Sequence, residues 1–216
     1  SAMTRCPRWV GEPRKDLQER LASKKTYTTP LEVPELTHWL NDMSHDNVLG
    51  MLKYLDMHNR PEDKVKLIFL PCYLTGDDGI INLSYYDVVL GNDLCIYPSY
   101  YEPWGYTPLE AIAFKVPCVT TDLAGFGLWV NSEIGHPGEI EDGVKVIHRT
   151  DYNYSEVADA IKDTVATYSQ FSSAQIRKAR SNAEKLSTRA LWDNFIKYYE
   201  DAYDMALRKA ESRKES

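Results

Sequence analysis

The chain has 216 residues, 43% of them hydrophobic, which is enough for one sizeable core but not for two full domains. Its 32 acidic against 25 basic residues leave a formal charge of −7 with no long basic run, which argues against nucleic acid as a partner. No apolar run reaches membrane-spanning length, no leader-like segment suggests export, and Cys6, Cys72, Cys95 and Cys118 lack CxxC spacing, so free thiols in a reducing cytoplasm are expected.

Ser1-Ala2-Met3 reads as a vector scar with a start methionine, and residues 4–13 look irregular around Pro7, Trp9, Gly11 and Pro13. Arg14 to Lys25 predicts a charged, weakly amphipathic helix whose charges form a solvated face. Pro30 and Pro34 punctuate a linker, Glu35 to Leu40 starts another helical stretch, and a helix is expected from about Asp46 to Met57 with Val48, Leu52 and Leu55 on one face. The spacing then changes. Val65 to Leu70 reads as a strand, Ser84 to Leu90 as a short helix capped by Ser84 and stopped at Gly91, and Asp93 to Tyr97, Val116 to Thr121 and Val144 to His148 as strands. Strands alternating with helices predict an α/β half domain of Rossmann type, a mostly parallel sheet with helices on both faces. Ser155 is expected to cap a helix carrying Val157, Ile161, Val165 and Tyr168, and a polar helix follows from about Ser173. The last helix, Thr188 to Lys209, has Trp192, Phe195, Ile196, Tyr199 and Met205 on one side, a stripe assigned to core packing, and Glu211 to Ser216 is a frayed tail. The expected division is a scar at 1–3, a domain over 4–187, and a helix with its tail over 188–216.

One stretch concentrates the chemistry: Pro98-Ser99-Tyr100-Tyr101-Glu102-Pro103-Trp104-Gly105-Tyr106-Thr107-Pro108-Leu109-Glu110. Pro98 ends a strand, and Thr107, Pro108 and Glu110 have the order of a capping hydroxyl, a first-turn proline and a capping-box carboxylate, so a helix is expected to begin at Thr107. A strand, a loop with a glycine and a helix N-terminus together form the geometry in which amides and the helix dipole hold a phosphate. Taken singly, Thr107 and Glu110 suit plain capping and Trp104 suits plain packing.

Taken whole, the stretch resembles the glutamate-seven-residues-glutamate signature of retaining glycosyltransferases built from two Rossmann-like halves. In this wording it is similar to the glycogen synthases of the animal and fungal type. Thr120-Thr121-Asp122-Leu123-Ala124-Gly125-Phe126-Gly127 and Lys64-Val65-Lys66-Leu67-Ile68-Phe69-Leu70-Pro71 resemble the same family, which covers about residues 46–130 closely and the rest of the C-terminal part loosely. The resemblance implies the C-terminal, nucleotide-sugar-binding half of a two-domain, B-type glycosyltransferase lacking its first strands. It implies transfer of glucose from UDP-glucose to the non-reducing end of an α-1,4-glucan with retention.

Residue by residue, the resemblance implies that Glu102 meets the donor glucose as the catalytic carboxylate, and that backbone around Trp104, Gly105 and Tyr106 lines the glucose pocket. Tyr106 and Thr107 would approach the diphosphate, Glu110 would hold the ribose hydroxyls, and Tyr85 would stack on uracil, although spacing alone suits Tyr85 equally as a packed aromatic. Glycosidase acid/base pairs flank one bond at about 5–10 Å; a carboxylate in a loop and another one turn into a helix suit separate roles better. The five histidines, His38, His45, His58, His136 and His148, show no ligand spacing, so neither a metal nor another cofactor is expected.

The family's N-terminal domain, with its catalytic histidine and much of the acceptor site, has no counterpart here, nor do the arginine and lysine that neutralise the diphosphate. The piece alone is therefore expected to be inactive, and its unpaired sheet edges predict a homo-oligomer. Leu70 and Cys72 replace the family's histidine and glutamate, and the helix over 173–185 lacks the dense arginine cluster of glucose 6-phosphate-regulated members, reading instead as a solvated face. Two alternatives stand beside this reading: a non-catalytic glycan-associated or assembly module with the same fold, and a related transferase using another sugar nucleotide.

Overall fold

The computed structural model of the chain describes residues 10–27, 29 and 31–213, so the expectations for the scar, Cys6, Pro7, Trp9, Pro30 and the last three residues lie outside them. The chain divides into two compact units, with the boundary after Val88.

In the first unit a buried arginine decides the local architecture. Arg14 was expected on a solvated face, yet it is fully buried. Its guanidinium donates to the Val33 carbonyl at 2.5 Å, the Leu36 carbonyl at 3.3 Å and both Asp16 oxygens at 2.6 and 3.2 Å, and it lies 4.7 Å over the Trp39 ring. A planar fork with five donors can satisfy three partners at once, which is what permits a cation inside. The Arg14 hydrogen bond holds the Asp16 carboxyl below its ordinary value. Helix α1 (Lys15–Ser23) therefore starts one residue later than expected, and β1 (Val10–Pro13) precedes it where irregular chain was expected.

β1 pairs antiparallel with β2 (His38–Leu40). The expected helix at Glu35 to Leu40 is thus a strand, and the alternation explains it: His38 and Leu40 are buried while Trp39 is exposed. Buried His38 donates from Nε2 to the Asp78 carbonyl at 2.9 Å, with Nδ1 2.9 Å from the Thr37 hydroxyl. The strand expected over Val65 to Leu70 reduces to a single parallel bridge between Phe69 and Leu36. Val65 and Ile68 stand 67% and 70% exposed, so no sheet face covers them. Helix α2 (Asn47–Tyr54) is capped by the Asp46 side chain, but only Leu52 of its apolar face is buried, Val48 and Leu55 being exposed. Helix α3 (Tyr85–Leu90) forms as expected, with the Ser84 hydroxyl and the Asp87 carboxylate bonded to each other and to each other's amides.

The second unit is built on a three-stranded parallel sheet of β3 (Cys95–Ile96), β4 (Cys118–Thr121) and β5 (Val144–Ile147), in that order. β4 is central and buried along its whole length. Helix α4 (Tyr106–Ala113) covers one face, with the Cys118 thiol 3.8 Å from the Pro108 carbonyl. Helix α6 (Tyr154–Ser169) covers the other, where Val119, Ile147 and Val157 form one cluster with Leu94, Ala160 and Ile161. Helices on both faces of a parallel sheet are the expected Rossmann-like arrangement. Helix α5 (Gly125–Ile134) follows β4, and burial pushes the Cys118 thiol far up.

Helix α7 (Ser173–Arg189) begins at a capping box of Ser172 and Gln175 and buries Ala179, Ala183 and Leu186 against α4 and the 3-10 turn at Ile140–Asp142. α6 begins ahead of Ser155, which does not cap it. Helix α8 (Trp192–Ser212) corrects a further expectation, because none of its residues is buried, and Trp192, Tyr199 and Met205 are about half exposed or more. The stripe assigned to the core leaves only Phe195 and Ile196 half-buried.

Two outcomes follow for the first unit. Arg14→Ala leaves two carbonyls and a carboxylate without their donor and should cost about 3 kcal/mol or more, with Arg14→Lys recovering little, as read by urea unfolding. Burial pushes the Asp78 carboxyl up, but the amides of Ile80, Ile81 and Asn82, at 2.9, 2.8 and 2.8 Å, outweigh it and hold the group below its ordinary 3.8. A carboxyl lowered on folding stabilises above its unfolded value and loses that contribution as pH falls through its folded value. The melting difference between the unsubstituted chain and Asp78→Asn should therefore be largest near neutrality and shrink below about pH 4.

Candidate functional site

The loops that follow β3 and β4 meet at the carboxyl end of the sheet, where open α/β sheets hold their ligands. They are joined by main chain. The Glu102 amide donates to the Leu123 carbonyl at 3.2 Å, the Gly125 amide to the Glu102 carbonyl at 3.1 Å, and the Phe126 amide to the Trp104 carbonyl at 2.7 Å. The Thr121 hydroxyl adds a bond to the Ser99 carbonyl at 2.6 Å. The two loops cross so closely at Gly125 that any side chain there would overlap the Pro103 carbonyl. The first two amides of α5 are consumed by this crossing and are not offered to a ligand.

Glu102 is half-buried, and its Oε2 accepts from the Ser99 hydroxyl at 3.3 Å. Gly105 is buried beside it, at φ +113, and a side chain there would lie 3.5 Å from that same oxygen and 3.3 Å from Pro108. Gly105, not Thr107, holds the cap position of α4, so the helix starts at Tyr106 and the expected capping box of Thr107 and Glu110 does not form its start. A glycine has no side chain to cap with, and the first-turn amides of Tyr106 and Thr107 lie where no intrahelical acceptor reaches. Pro108, Ala111 and Ile112 face the core, which leaves Tyr106 and Thr107, with Glu110 four and three residues after them, on the outer face of α4. Tyr106 and Thr107 are exposed and Glu110 half-buried.

Trp104 anchors the loop from below. Its ring lies edge-on to Phe126 at 6.0 Å and to Phe195 at 5.5 Å, and 5.8 Å from Trp129. On the far side Arg149, after β5, donates to the Pro98 carbonyl at 2.6 Å and lies 5.2 Å over the Tyr100 ring, while the Tyr100 hydroxyl bonds Asp151. Asp122 accepts from the Arg149 amide at 2.9 Å and pairs with His148 at 2.5 Å.

The structure thus brings together Glu102, Trp104, Gly105, Tyr106, Thr107 and Glu110 in the second unit. Tyr85 lies in the first unit, as the first residue of α3, with its hydroxyl buried and unbonded. Sequence reasoning gave no role to Thr121 or Arg149, and it placed Phe195 in a core-packing stripe without linking it to the site. Gly125 carried a signal, two glycines flanking a phenylalanine a few residues after a strand, whereas nothing local marks Arg149. Among the described residues no cluster of three or more histidine, cysteine or acidic side chains could hold a metal, and no helix is long and apolar enough to cross a membrane.

A sequence profile of the glycogen synthase family matches residues 14–215. The chain belongs to the glycogen synthase family. It is 31% identical over 194 residues to the glycogen [starch] synthase of Neurospora crassa, covering 90% of this chain and 27% of that protein. To glycogen [starch] synthase of Caenorhabditis elegans it is 34% identical over 164 residues, 76% of this chain and 24% of that protein. To the liver glycogen [starch] synthase of Mus musculus it is 30% identical over 177 residues, 82% of this chain and 25% of the relative. The chain spans about a quarter of the length of these glycogen synthase relatives.

Gly125→Ala should force the two site loops apart while β4 and β5 stay paired. The expected result is a loss of roughly 2 kcal/mol or more in urea unfolding, with a red-shifted tryptophan emission as Trp104 is exposed; an unchanged spectrum would show that the crossing does not hold Trp104.

Proposed function

We propose that the chain is the donor-binding part of a glycogen [starch] synthase that transfers glucose from UDP-glucose to the non-reducing end of an α-1,4-glucan with retention. The observation that carries this reading is the placing of the Glu102 carboxylate beside the Gly105 turn, one residue ahead of the α4 N-terminus. Breaking a sugar–diphosphate bond leaves negative charge on the phosphate and develops positive charge at the sugar. A helix N-terminus suits the negative charge on the phosphate, and the acidic loop held next to it suits the positive charge at the sugar.

In this reading the donor glucose lies against the backbone of Trp104, Gly105 and Tyr106, with Glu102 facing the developing charge at the anomeric carbon. The diphosphate meets the Tyr106 and Thr107 amides, and Glu110, one turn along the same helix face, accepts from the ribose hydroxyls. Tyr85 stacks on uracil. The acceptor glucan and turnover depend on the remainder of the enzyme, the protein works in the cytoplasm, and the outer edge of β3, for which the described residues supply no strand partner, favours self-association. Residues 4–187 form the nucleotide-sugar-binding region and 188–216 the helix and tail appended to it.

Calorimetric titration of UDP into the 216-residue chain tests the site. Glu110→Gln should weaken binding about tenfold or more, the scale of a hydrogen bond to a charged group. Its melting temperature should hardly move, because Gly105 rather than Glu110 occupies the helix start. Equal affinity in the two proteins would remove the ribose role from Glu110.

A further inference from the structure

We propose that Phe195 is a positioning residue for the donor loop, which makes the start of α8 part of the site; the inference deepens the donor-binding reading and rests on it for its ligand measurement. Trp104 sits between Pro103, whose carbonyl abuts Gly125, and Gly105, whose Cα lies beside the Glu102 carboxylate. Any movement of the Trp104 indole is passed along the main chain in both directions within two residues. Three rings hold that indole. Phe126 and Trp129 come from α5, which is itself stitched to the loop by the Gly125 and Phe126 amides. Phe195 comes from a helix 91 positions further along the sequence, and it meets both Trp104, at 5.5 Å and 87°, and Trp129, at 5.8 Å and 84°.

Edge-to-face geometry of this kind at both tryptophans makes Phe195 the shared wedge between them. It has few substitutes on its own helix. Phe195 and Ile196 are the half-buried residues of α8, and every residue from Lys197 to Arg213 is exposed. Removing the ring therefore leaves α8 with little hold on the unit, and leaves one edge of Trp104 and one of Trp129 open to water. The main-chain bonds between the two loops remain, so the sheet should keep its stability while the loop opens more often.

Hydrogen exchange on the 216-residue chain separates these effects. In Phe195→Ala the amides of Glu102 and Phe126, bonded to Leu123 and Trp104, should exchange about tenfold faster. The β4 amides from Val119 to Thr121 should keep their rates. Phe195→Tyr, which retains the ring, should restore protection, and Tyr199→Ala, whose ring pairs with Trp192 at 5.0 Å, should leave both sets unchanged. Unaltered rates at Glu102 and Phe126 in Phe195→Ala would overturn the proposal, and so would an equal acceleration in β4, which would mark a general loss of stability. UDP affinity measured on the same proteins should fall in Phe195→Ala and recover in Phe195→Tyr. A loosened loop with undiminished affinity would overturn the assignment to the site. Failure of the unsubstituted chain to bind UDP would instead refute the donor reading, while the exchange comparison still decides whether Phe195 holds the loop.

Discussion

The site depends on one backbone crossing. Where the loop after β3 passes the start of α5, the Glu102 and Trp104 carbonyls accept from the Gly125 and Phe126 amides, and the Glu102 amide returns to Leu123. These bonds satisfy polar groups that burial would otherwise leave unpaired, and they fix the Glu102 main chain to within hydrogen-bond tolerance of the central strand. The crossing admits no side chain at position 125. The rest of the proposed site then follows by short chain connection. Trp104 is forced down into the aromatic cluster, Gly105 must turn through a left-handed conformation to start α4, and the outer face of α4 is left for Tyr106, Thr107 and Glu110.

Sequence pattern revealed the second unit better than the first for a physical reason. The stretches Val116 to Thr121 and Val144 to His148 contain β4 and β5, strands covered on both sides, where continuous hydrophobic runs are required, while the strand expected over Asp93 to Tyr97 shortens to Cys95–Ile96 with Ile96 exposed at the sheet edge. The first unit has no such sheet. Glu35 to Leu40 looked helical because a three-residue strand is too short for its alternation to stand out, and the exposed Val65 and Ile68 looked like a strand because apolar, β-branched residues are rarely left in water. Arg14 looked solvated because nothing near it in the sequence announces that the Val33 and Leu36 carbonyls converge on it from about twenty residues away.

The misreadings at the site are narrower. Thr107, Pro108 and Glu110 have the right order for a capped helix start, yet Gly105 begins the helix one residue ahead of Tyr106, because the loop crossing sets where the chain must turn before any capping preference can act. The aromatic stripe of α8 was legible as a stripe but not as a surface. Periodicity reports that one face is apolar and says nothing of what covers it. Of that stripe Phe195, through Trp104 and Trp129, finds partners in the second unit's aromatic cluster; the helix that carries it announced a packing role but not those partners.

In the proposed reading a chain with a net charge of −7 holds an anionic ligand, and the charges around the loop are compatible with it. Arg149, the cation nearest the start of the loop, donates to the Pro98 carbonyl and stacks on Tyr100, so its guanidinium is engaged in fastening the loop. What the α4 start presents are peptide dipoles, fixed in direction by the Gly105 turn and unaffected by protonation. Because dipoles act over a single turn, their attraction for a phosphate is local and survives a repulsive global charge, which salt screens beyond about 10 Å. The same short range means that the Gly105 turn must be held in place, and the crossing at Gly125 together with the ring packing around Trp104 constrains it.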